Sequence, residues 1–268
     1  MRWTERQRAM LDEMGIRLWL PPTPSALAST PPDAGVGKVE APPLREATSR
    51  LTESRAVPVA QATVDLDGEV GRLEAPALAA RAAVCTACAL CAGRTRPVFS
   101  AGAARADWMI VGDAPDAEDD QAGSPFAGRV GQLLDNMLTA IQVTRGAGDP
   151  ARQAYLTHSV KCRPPESRRP EPADIAACAP FLMRQVQLVQ PRIIIAMGRI
   201  AAQALLRSSE PTARLRGRVH RFADVPVVVT YHPAYLLRHP QDKAAAWEDL
   251  CFAVEVAAGT DAASTPSA

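Results

Sequence analysis

The sequence predicts an α/β fold, namely a three-layer α/β/α sandwich around a four-stranded, mainly parallel sheet. Two observations support this prediction. Short apolar runs alternate along the chain with longer segments whose apolar residues recur every three or four positions. The short runs are continuously apolar, which is typical of strands buried on both faces by covering helices. Apolar residues make up 47% of the 268 residues, so the chain can bury a substantial core.

Four strands are predicted from continuous apolar runs, each of which ends at a loop. They cover residues 107–112, 154–160, 192–198 and 225–230. Parallel strands place their carboxyl ends at one edge of the sheet, and ligands bind beyond that edge. The segments that follow three of these strands, from Gly112 onward, at 158–165 and at 231–238, are therefore where we expect a functional site.

Four helices are predicted between and after these strands. The first has apolar residues at i, i+3, i+4 and i+7 spacing, and the second begins with Pro172, which suits the first turn of a helix. They cover residues 128–141, 172–189, 199–206 and 244–258. The strand and helix pattern together predicts one folded domain over residues 77–258.

The segments outside this domain have a different composition. Residues 1–20 are predicted to be a short helical segment, because 4–14 have a helical pattern and Gly15 suits a helix C-cap. This helix either docks onto a partner protein or packs on the main domain. Residues 21–76 are rich in proline and alanine and are predicted to be a disordered linker. Residues 259–268 are small and polar and are predicted to be a disordered tail.

Composition and charge exclude several classes of function. The formal net charge of +1 means that nucleic-acid binding would need a local basic patch, and 4% aromatic residues argue against a surface covered with base-stacking rings. No stretch approaches the roughly 20 apolar residues that a membrane helix needs. The N-terminus has no apolar run behind its charges, so we expect no secretory signal and a cytoplasmic location.

The cysteines suggest a metal site. Cys85 and Cys88 form a C-x2-C pair, and Cys162 and Cys178 lie far downstream. Four thiolates from two distant segments hold either a zinc ion or an iron–sulfur cluster, and the spacing does not choose between them. Cys251 lies in an apolar helical pattern and is predicted to be a core residue, whereas Cys91 is either a competing ligand or a core residue.

Four motifs occur in an order that resembles a known family. They are Gly112-Asp113-Ala114-Pro115, Gly123-Ser124-Pro125-Phe126-Ala127-Gly128, Val160-Lys161-Cys162-Arg163-Pro164-Pro165 and His232-Pro233-Ala234-Tyr235-Leu236-Leu237-Arg238. Together with the cysteines they resemble the family 4 uracil-DNA glycosylases over about residues 84–256. The resemblance implies the uracil-DNA glycosylase fold and a [4Fe-4S] cluster of structural role, held by Cys85, Cys88, Cys162 and Cys178.

The resemblance also implies roles for residues at the base-binding site. His232 matches the family's histidine that donates a hydrogen bond to uracil O2 as negative charge develops on the leaving base. Phe126 matches the aromatic residue that stacks on the base, and the main chain from Gly112 to Ala114 approaches the base and the attacking water. Asp119 matches the acidic residue that excludes the methyl group of thymine. Its alternative is membership of a solvated acidic run over 118–120.

DNA contacts are expected from two further segments. By the resemblance, Leu236, Leu237 and Arg238 enter the minor groove and fill the gap left by the flipped base. A local basic run precedes this loop and is a candidate for phosphate contacts, with a solvated surface as its alternative. It consists of Arg214, Arg216, Arg218 and Arg221.

Four positions depart from the family pattern. Asp113 replaces glutamate, Asp116 replaces glycine, and His158 and Ser167 each replace asparagine. The change at His158 matters most, because an amide matches O4 and N3–H of uracil together whereas an imidazole does not. Losing one matched hydrogen bond in a dry pocket costs about 1–3 kcal/mol. Asp116 either adds a carboxylate that orients water or stabilises the cationic sugar, or it obstructs the pocket.

Two hypotheses of different class follow. The first is a monofunctional glycosylase that flips uracil out of DNA and hydrolyses its N-glycosidic bond with water, starting base excision repair, or that has an altered base preference because of His158. The second is a catalytically weak or silent [4Fe-4S] DNA-binding protein. A zinc-stabilised binding module is a third possibility. The expected partner is DNA with uracil or another deaminated base, and the protein is expected to be a monomer.

Overall fold

The computed structural model describes residues 68–165 and 168–263, with side chains to residue 259. The α/β class is confirmed, but the predicted number of four strands is wrong, because the sheet has six. Their bounds are β1 Ala101–Gly102, β2 Trp108–Gly112, β3 Ala154–His158, β4 Ile193–Met197, β5 Val219–Phe222 and β6 Val225–Thr230. The four predicted strands are β2, β3, β4 and β6.

The sheet has the strand order β1-β3-β2-β4-β6-β5. The four central strands are parallel, and the two additional strands pair antiparallel at the edges. Sequence pattern missed these edge strands for a physical reason. β1 has only two residues, and β5 alternates between exposed and half-buried residues instead of being continuously apolar.

Eight α-helices complete the described part of the chain. They are α1 Ala75–Ala83, α2 Ala117–Ala122, α3 Gly128–Ala140, α4 Pro172–Val189, α5 Arg199–Leu206, α6 Thr212–Leu215, α7 Pro233–Arg238 and α8 Lys243–Ala263. The four predicted helices correspond to α3, α4, α5 and α8. α8 continues five residues beyond the predicted end at residue 258, into the segment predicted to be a tail.

Helices cover both faces of the sheet. Neighbouring side chains along a strand point to opposite faces, so each central strand contributes to two buried layers. Met109 and Val111 of β2 pack with residues of α4 and α5 in one buried cluster. Trp108 and Ile110 of the same strand pack with residues of α3 and α8 in another. These two apolar layers account for the three-layer sandwich.

Regular structure begins before residue 77, where the linker was predicted to end. A 3-10 turn at Glu69–Arg72 and helix α1 precede the first strand. Val70 and Leu73 pack on a small buried cluster that contains Phe181 of α4. The predicted N-terminal helix, the linker as far as residue 67, Ser167 and residues 264–268 lie outside the described residues.

The carboxyl ends of the four parallel strands lie at one edge of the sheet, as the sequence predicted. The register pairs Gly112 of β2 with His158 of β3, and Met197 of β4 with Thr230 of β6. Three of the four motifs lie at or just after these ends, and the motif at 123–128 lies between α2 and α3. Within residues 68–165 and 168–263, no helix has the length and apolar character that crossing a bilayer requires.

Candidate active site

A cleft of about 890 Å³ lies at the carboxyl edge of the sheet. Loops that follow β2, β3, β4 and β6 form its walls. Several residues that the sequence singled out line it, namely Asp113, Ala114, Asp116, Asp119, His232 and Arg238. The topology therefore brings together residues that are far apart in the chain.

His232 is the N-cap of α7, two residues after β6 ends. Its Nδ1 accepts a hydrogen bond from the main-chain N–H of Ala234 at 3.2 Å, so its proton is on Nε2. Burial lowers the pKa of His232 to about 3, and the nearby side chains of His158 and Arg238 act in the same direction, against the opposing effect of Asp119. The ring is therefore neutral, and its Nε2–H has no hydrogen-bond partner among the described residues.

Phe126 is fully buried beside two histidines. Its ring centroid is 4.7 Å from that of His158 and 5.6 Å from that of His232. Its φ of 55° is a left-handed conformation that costs a bulky residue roughly 1–3 kcal/mol. Arg145 donates to the Phe126 carbonyl at 3.4 Å. The surrounding structure thus holds Phe126 in a strained conformation that presents its ring to both histidines.

Gly112, the last residue of β2, leaves space beside these rings. A Cβ at this position would lie 2.4 Å from His158 Nδ1 and 2.6 Å from Phe126 Cζ. Both distances are far below van der Waals contact. Glycine is therefore required here because of space, and the main chain of Gly112 lies against the two side chains predicted to contact the base.

His158 and Asp119 form a buried pair. His158 Nε2 lies 2.8 Å from an Asp119 carboxylate oxygen, and both side chains are almost completely buried. Asp119 also accepts a hydrogen bond from Ala127 N–H at 2.7 Å. Burial tends to raise the pKa of Asp119, but the hydrogen bond with His158 holds it below its usual range.

The alternative of a solvated acidic run at 118–120 is wrong. Asp119 and Asp120 are 3% and 2% exposed. Asp120 accepts hydrogen bonds from the N–H groups of Thr95 and Arg96, which joins α2 to the segment after the cysteine loop. Of this run, Glu118 is exposed. The contacts give Asp119 a role in holding His158, which the sequence did not predict.

Asp116 is the N-cap of α2. Its carboxylate accepts a hydrogen bond from Asp119 N–H at 2.9 Å, which forms a capping box. Burial raises its pKa, as do the nearby negative charges of Asp119 and Glu118. This contact explains an aspartate at a position where glycine cannot form a side-chain cap, while the residue still lines the cleft.

Asp113 follows β2 and points at the start of α5. Its carboxylate accepts a hydrogen bond from Ala201 N–H at 2.9 Å. Burial raises its pKa to about 6, although hydrogen bonds from Ala201 and Ile200 and the charge of Arg169 act in the opposite direction. Asp113 is therefore a cleft residue whose carboxyl group titrates near neutral pH.

The predicted DNA-entering residues divide into two groups. Leu237 is 36% exposed, and Arg238 is also exposed. Leu236 is 1% exposed, so the prediction that it enters the minor groove is wrong. It points inward because α7 packs against α3, and an inward apolar side chain anchors the short helix.

The predicted basic run is also only partly available to phosphates. Arg216 is held by Asp249 at 2.5 Å and lies over the ring of Tyr231, so it belongs to the structure beneath the loop. Other arginines line the cleft instead, three of them from the segment after β3 and one from the start of α5. They are Arg163, Arg168, Arg169 and Arg199.

Five cysteines line one small cavity. Cys85 and Cys88 follow α1, Cys162 follows β3, and Cys178 lies in α4, and Cys91 lines the same cavity. Cys251 lies on α8, and none of the six forms a disulfide. Arg94 donates to Cys162 Sγ at 3.1 Å. No three metal-binding side chains of the described residues are grouped closely enough to hold a single metal ion.

Thiols gathered from separate segments in one cavity suit a thiolate-bound metal group. Two thiolates on one zinc ion lie within about 4.6 Å of each other, which is twice the Zn–S distance of about 2.3 Å. A cluster spreads its ligands over several iron atoms. The cationic group of Arg94, which donates to Cys162 Sγ, suits a thiolate cluster of net negative charge.

Lys161 lies in one of the four motifs, and the sequence predicted no role for it. It is buried, and its Nζ donates to Thr157 Oγ1, to the His158 carbonyl and to Gln185 Oε1 at 2.6–2.7 Å. Burial lowers its pKa to about 7. These contacts fix the end of β3, and with it the backbone that carries His158.

Comparisons with known proteins agree with this geometry. A family model described as "Uracil DNA glycosylase superfamily" matches residues 99–251. The chain is 39% identical to a type-4 uracil-DNA glycosylase of Pyrobaculum aerophilum over 63% of this chain and 87% of that protein. It is 34% identical to one of Archaeoglobus fulgidus over 59% and 80%. The similarity to one of Thermotoga maritima is 36% identity over 58% and 79%.

Proposed function

The chain belongs to the type-4 uracil-DNA glycosylases of the uracil DNA glycosylase superfamily, and we propose that it removes uracil from DNA by hydrolysing the N-glycosidic bond. A base inside a duplex is out of reach, so the enzyme takes the nucleotide out of the stack and binds the base in a pocket. Removal of uracil starts base excision repair. Five curated relatives that are named type-4 uracil-DNA glycosylases support this activity.

The observation that carries the proposal is the unpartnered Nε2–H of His232. As the bond between the sugar and N1 breaks, negative charge develops on the uracil ring, including O2. A neutral donor fixed by Ala234 and shielded from water stabilises this charge without rearranging during the reaction. Phe126 supplies a flat apolar ring on which the base stacks.

Water is the nucleophile in this proposal. Asp113 lines the cleft, and its pKa of about 6 leaves it mostly ionised at neutral pH, where it orients water and stabilises the cationic sugar. Asp116 adds a second carboxylate at the same wall. Among the described residues that line the cleft there is no lysine, and Lys161 is occupied behind His158, so no group is placed to form a Schiff base.

DNA binds across the arginine-lined cleft. Arg163, Arg169 and Arg199 line the cleft and suit contacts with phosphates, whereas Arg168, which also lines it, is paired with Asp174 at 2.7 Å. Leu237 and Arg238 lie at the surface of α7, where they occupy the position left by the flipped nucleotide. Ser167, outside the described residues, remains a candidate substrate contact. A DNA substrate agrees with the expected cytoplasmic location, and the protein needs no second copy for base excision.

The cysteine cavity holds a [4Fe-4S] cluster in this proposal, bound by Cys85, Cys88, Cys162 and Cys178. When bound, the cluster supplies covalent cross-links between the α1 loop, the β3 loop and α4, and no electron transfer in the reaction. Cys162 is four residues after His158, so a fixed Cys162 restrains the loop that ends in the base pocket. Cys91 lines the cavity as a further thiol.

A second candidate function rests on His158. If its imidazole does not accept uracil, the chain is a weak or silent DNA-binding protein, or a glycosylase for another deaminated base. The substitution His158→Asn decides between these. Restored uracil release would identify His158 as the cause of weak activity, whereas unchanged silence on every uracil substrate would remove that explanation.

The test of the proposed function is release of free base from DNA. Protein purified without air is incubated with single- and double-stranded oligonucleotides that carry uracil, hypoxanthine or xanthine, beside a His232→Ala variant. We expect uracil release that the variant largely loses. Release of another base instead would favour altered specificity, and no release from protein with full iron content would favour the DNA-binding function.

A further inference from the structure

We propose that Asp119 is a positioning residue that fixes the tautomer of His158, so that the pocket accepts a base with an N–H beside its O2 carbonyl and rejects a base with a lone pair there. This inference rests on the proposed function, because it assumes that the base enters beside Phe126. In this inference the His158–Asp119 pair discriminates uracil from cytosine.

The contact with Asp119 determines which ring nitrogen of His158 carries the proton. An ionised carboxylate only accepts hydrogen bonds, so the 2.8 Å contact between Asp119 and His158 Nε2 requires a proton on Nε2. The other Asp119 oxygen accepts from Ala127 N–H at 2.7 Å, which fixes the orientation of the carboxylate. Asp119 therefore selects one of the two neutral tautomers of His158.

The opposite ring nitrogen of His158, Nδ1, is left as an acceptor. With the proton on Nε2, Nδ1 of the neutral ring carries a lone pair. This atom is buried and has no hydrogen-bond partner among the described residues. It packs closely on Gly112, since an added Cβ there would lie only 2.4 Å from it. An unpaired acceptor in a buried site is costly, so it indicates a place for a ligand donor.

His232 and His158 present complementary groups beside the same aromatic ring. His232 presents Nε2–H as a donor, and His158 presents Nδ1 as an acceptor. Their ring centroids are 6.5 Å apart, and both rings contact Phe126. The pair of rings thus offers one donor and one acceptor to a base that lies on a single aromatic ring.

Uracil carries the complementary pair on neighbouring atoms. Its O2 accepts a hydrogen bond, and its N3–H donates one. Cytosine keeps O2 but has a lone pair at N3, which would face the lone pair of His158 Nδ1. An unpaired or repelled polar group in a buried site reduces binding by roughly 10- to 100-fold. A pocket fixed in this tautomer therefore protects the abundant cytosine of normal DNA from excision.

The first measurement is the tautomer itself. The chain has four histidines, so a spectrum of the protein labelled with ¹⁵N in histidine side chains is simple, and His158→Gln assigns the signal. At neutral pH we expect a protonated Nε2 and an unprotonated Nδ1. Free uracil should shift the His158 Nδ1 signal, and free cytosine should shift it much less. This measurement needs no variant of Asp119 and no turnover.

Asp119→Asn reverses the predicted tautomer. Ala127 N–H still needs the side-chain oxygen, so the amide NH2 faces His158 Nε2 and moves the histidine proton to Nδ1. We expect uracil release to fall at least tenfold and the ratio of cytosine to uracil binding to rise. Asp120→Asn is the matched control, because Asp120 is equally buried in α2 but contacts Thr95 and Arg96.

The outcomes separate this inference from the proposed function. A wild-type His158 protonated on Nδ1, or an Asp119→Asn variant with the wild-type tautomer and base preference, would overturn the inference even if uracil is released. A wild-type protein that releases no uracil would overturn the proposed function. In that case the shift of His158 Nδ1 by uracil, but not by cytosine, would still support the pairing inferred here.

Discussion

The ring of His232 lies against the ring of Phe126, with centroids 5.6 Å apart and planes 23° apart. The two residues are more than 100 positions apart in the sequence, and their contact joins the loop before α3 to the start of α7. A base that stacks on Phe126 must displace part of this contact. The O2 atom of the base then lies near Nε2–H of His232. Binding of the base is thereby coupled to the group that stabilises the leaving base.

Replacing His232 tests this coupling. We expect His232→Ala to lower the single-turnover rate of uracil release by about 10²- to 10³-fold, the cost of removing a preorganised donor. Affinity for uracil-containing DNA should fall much less than the rate, because the hydrogen bond strengthens as charge develops. His220→Ala is the control, since that ring contacts the Leu215 carbonyl outside the cleft. Equal losses in the two variants would contradict the assignment.

Asp113 predicts the pH dependence of the reaction. Burial raises its pKa to about 6, so the carboxyl group is mainly neutral at pH 5 and mainly ionised at pH 7. If the ionised form orients water, the single-turnover rate rises between these values and then levels off. Asp113→Asn should be slower at pH 7 and lack this rise. A variant that keeps the same rise would assign it to another group.

Gly112 predicts a variant that folds but does not react. In Gly112→Ala the new methyl group would meet His158 Nδ1 and Phe126 Cζ at 2.4 and 2.6 Å, so both rings must move. A misplacement of this size lowers the rate by about a hundredfold. Gly148→Ala is the matched control, because a Cβ there has no neighbour within 4 Å. Similar single-turnover rates in both variants would show that the pocket tolerates the methyl group.

The cysteine cavity predicts iron content. Protein purified without air should contain about four iron and about four sulfide ions per chain, with broad visible absorption. Substituting any of Cys85, Cys88, Cys162 or Cys178 by serine should lower iron and thermal stability together, because the cluster joins three segments. Cys251→Ser should change neither, since it lies outside the cavity. Cys91→Ser should retain iron, and loss of iron there would make Cys91 a ligand.

Two adjacent leucines of α7 predict opposite effects. Leu236 is buried, so Leu236→Ala should lower the free energy of unfolding by about 2–5 kcal/mol. Leu237 is partly exposed, so Leu237→Ala should change stability by less than about 0.5 kcal/mol. It should instead slow uracil release from duplex DNA more than from single strands, because only the duplex leaves a gap to fill. Equal effects on both substrates would contradict this role.

The sequence pattern was sufficient to predict those strands and helices whose apolar residues are buried along their whole length. The four central strands and helices α3, α4, α5 and α8 were predicted because their apolar periodicity reflects packing on one or both sides. β1, β5 and α6 were missed because short or half-exposed elements carry little periodicity. The ordered turn at Glu69–Arg72 was missed because its stabilising contacts are with the distant helix α4.

The sequence by itself determined the family, the α/β class and the types of residue that gather at the carboxyl edge, because ordered motifs and apolar runs are local properties. Tertiary structure alone decided which contacts those residues make. It buried Leu236, made Asp116 a helix cap and placed Asp119 against His158, across 39 positions of chain. Which proton a histidine carries depends on the atom opposite its ring nitrogen, and the fold supplies that atom.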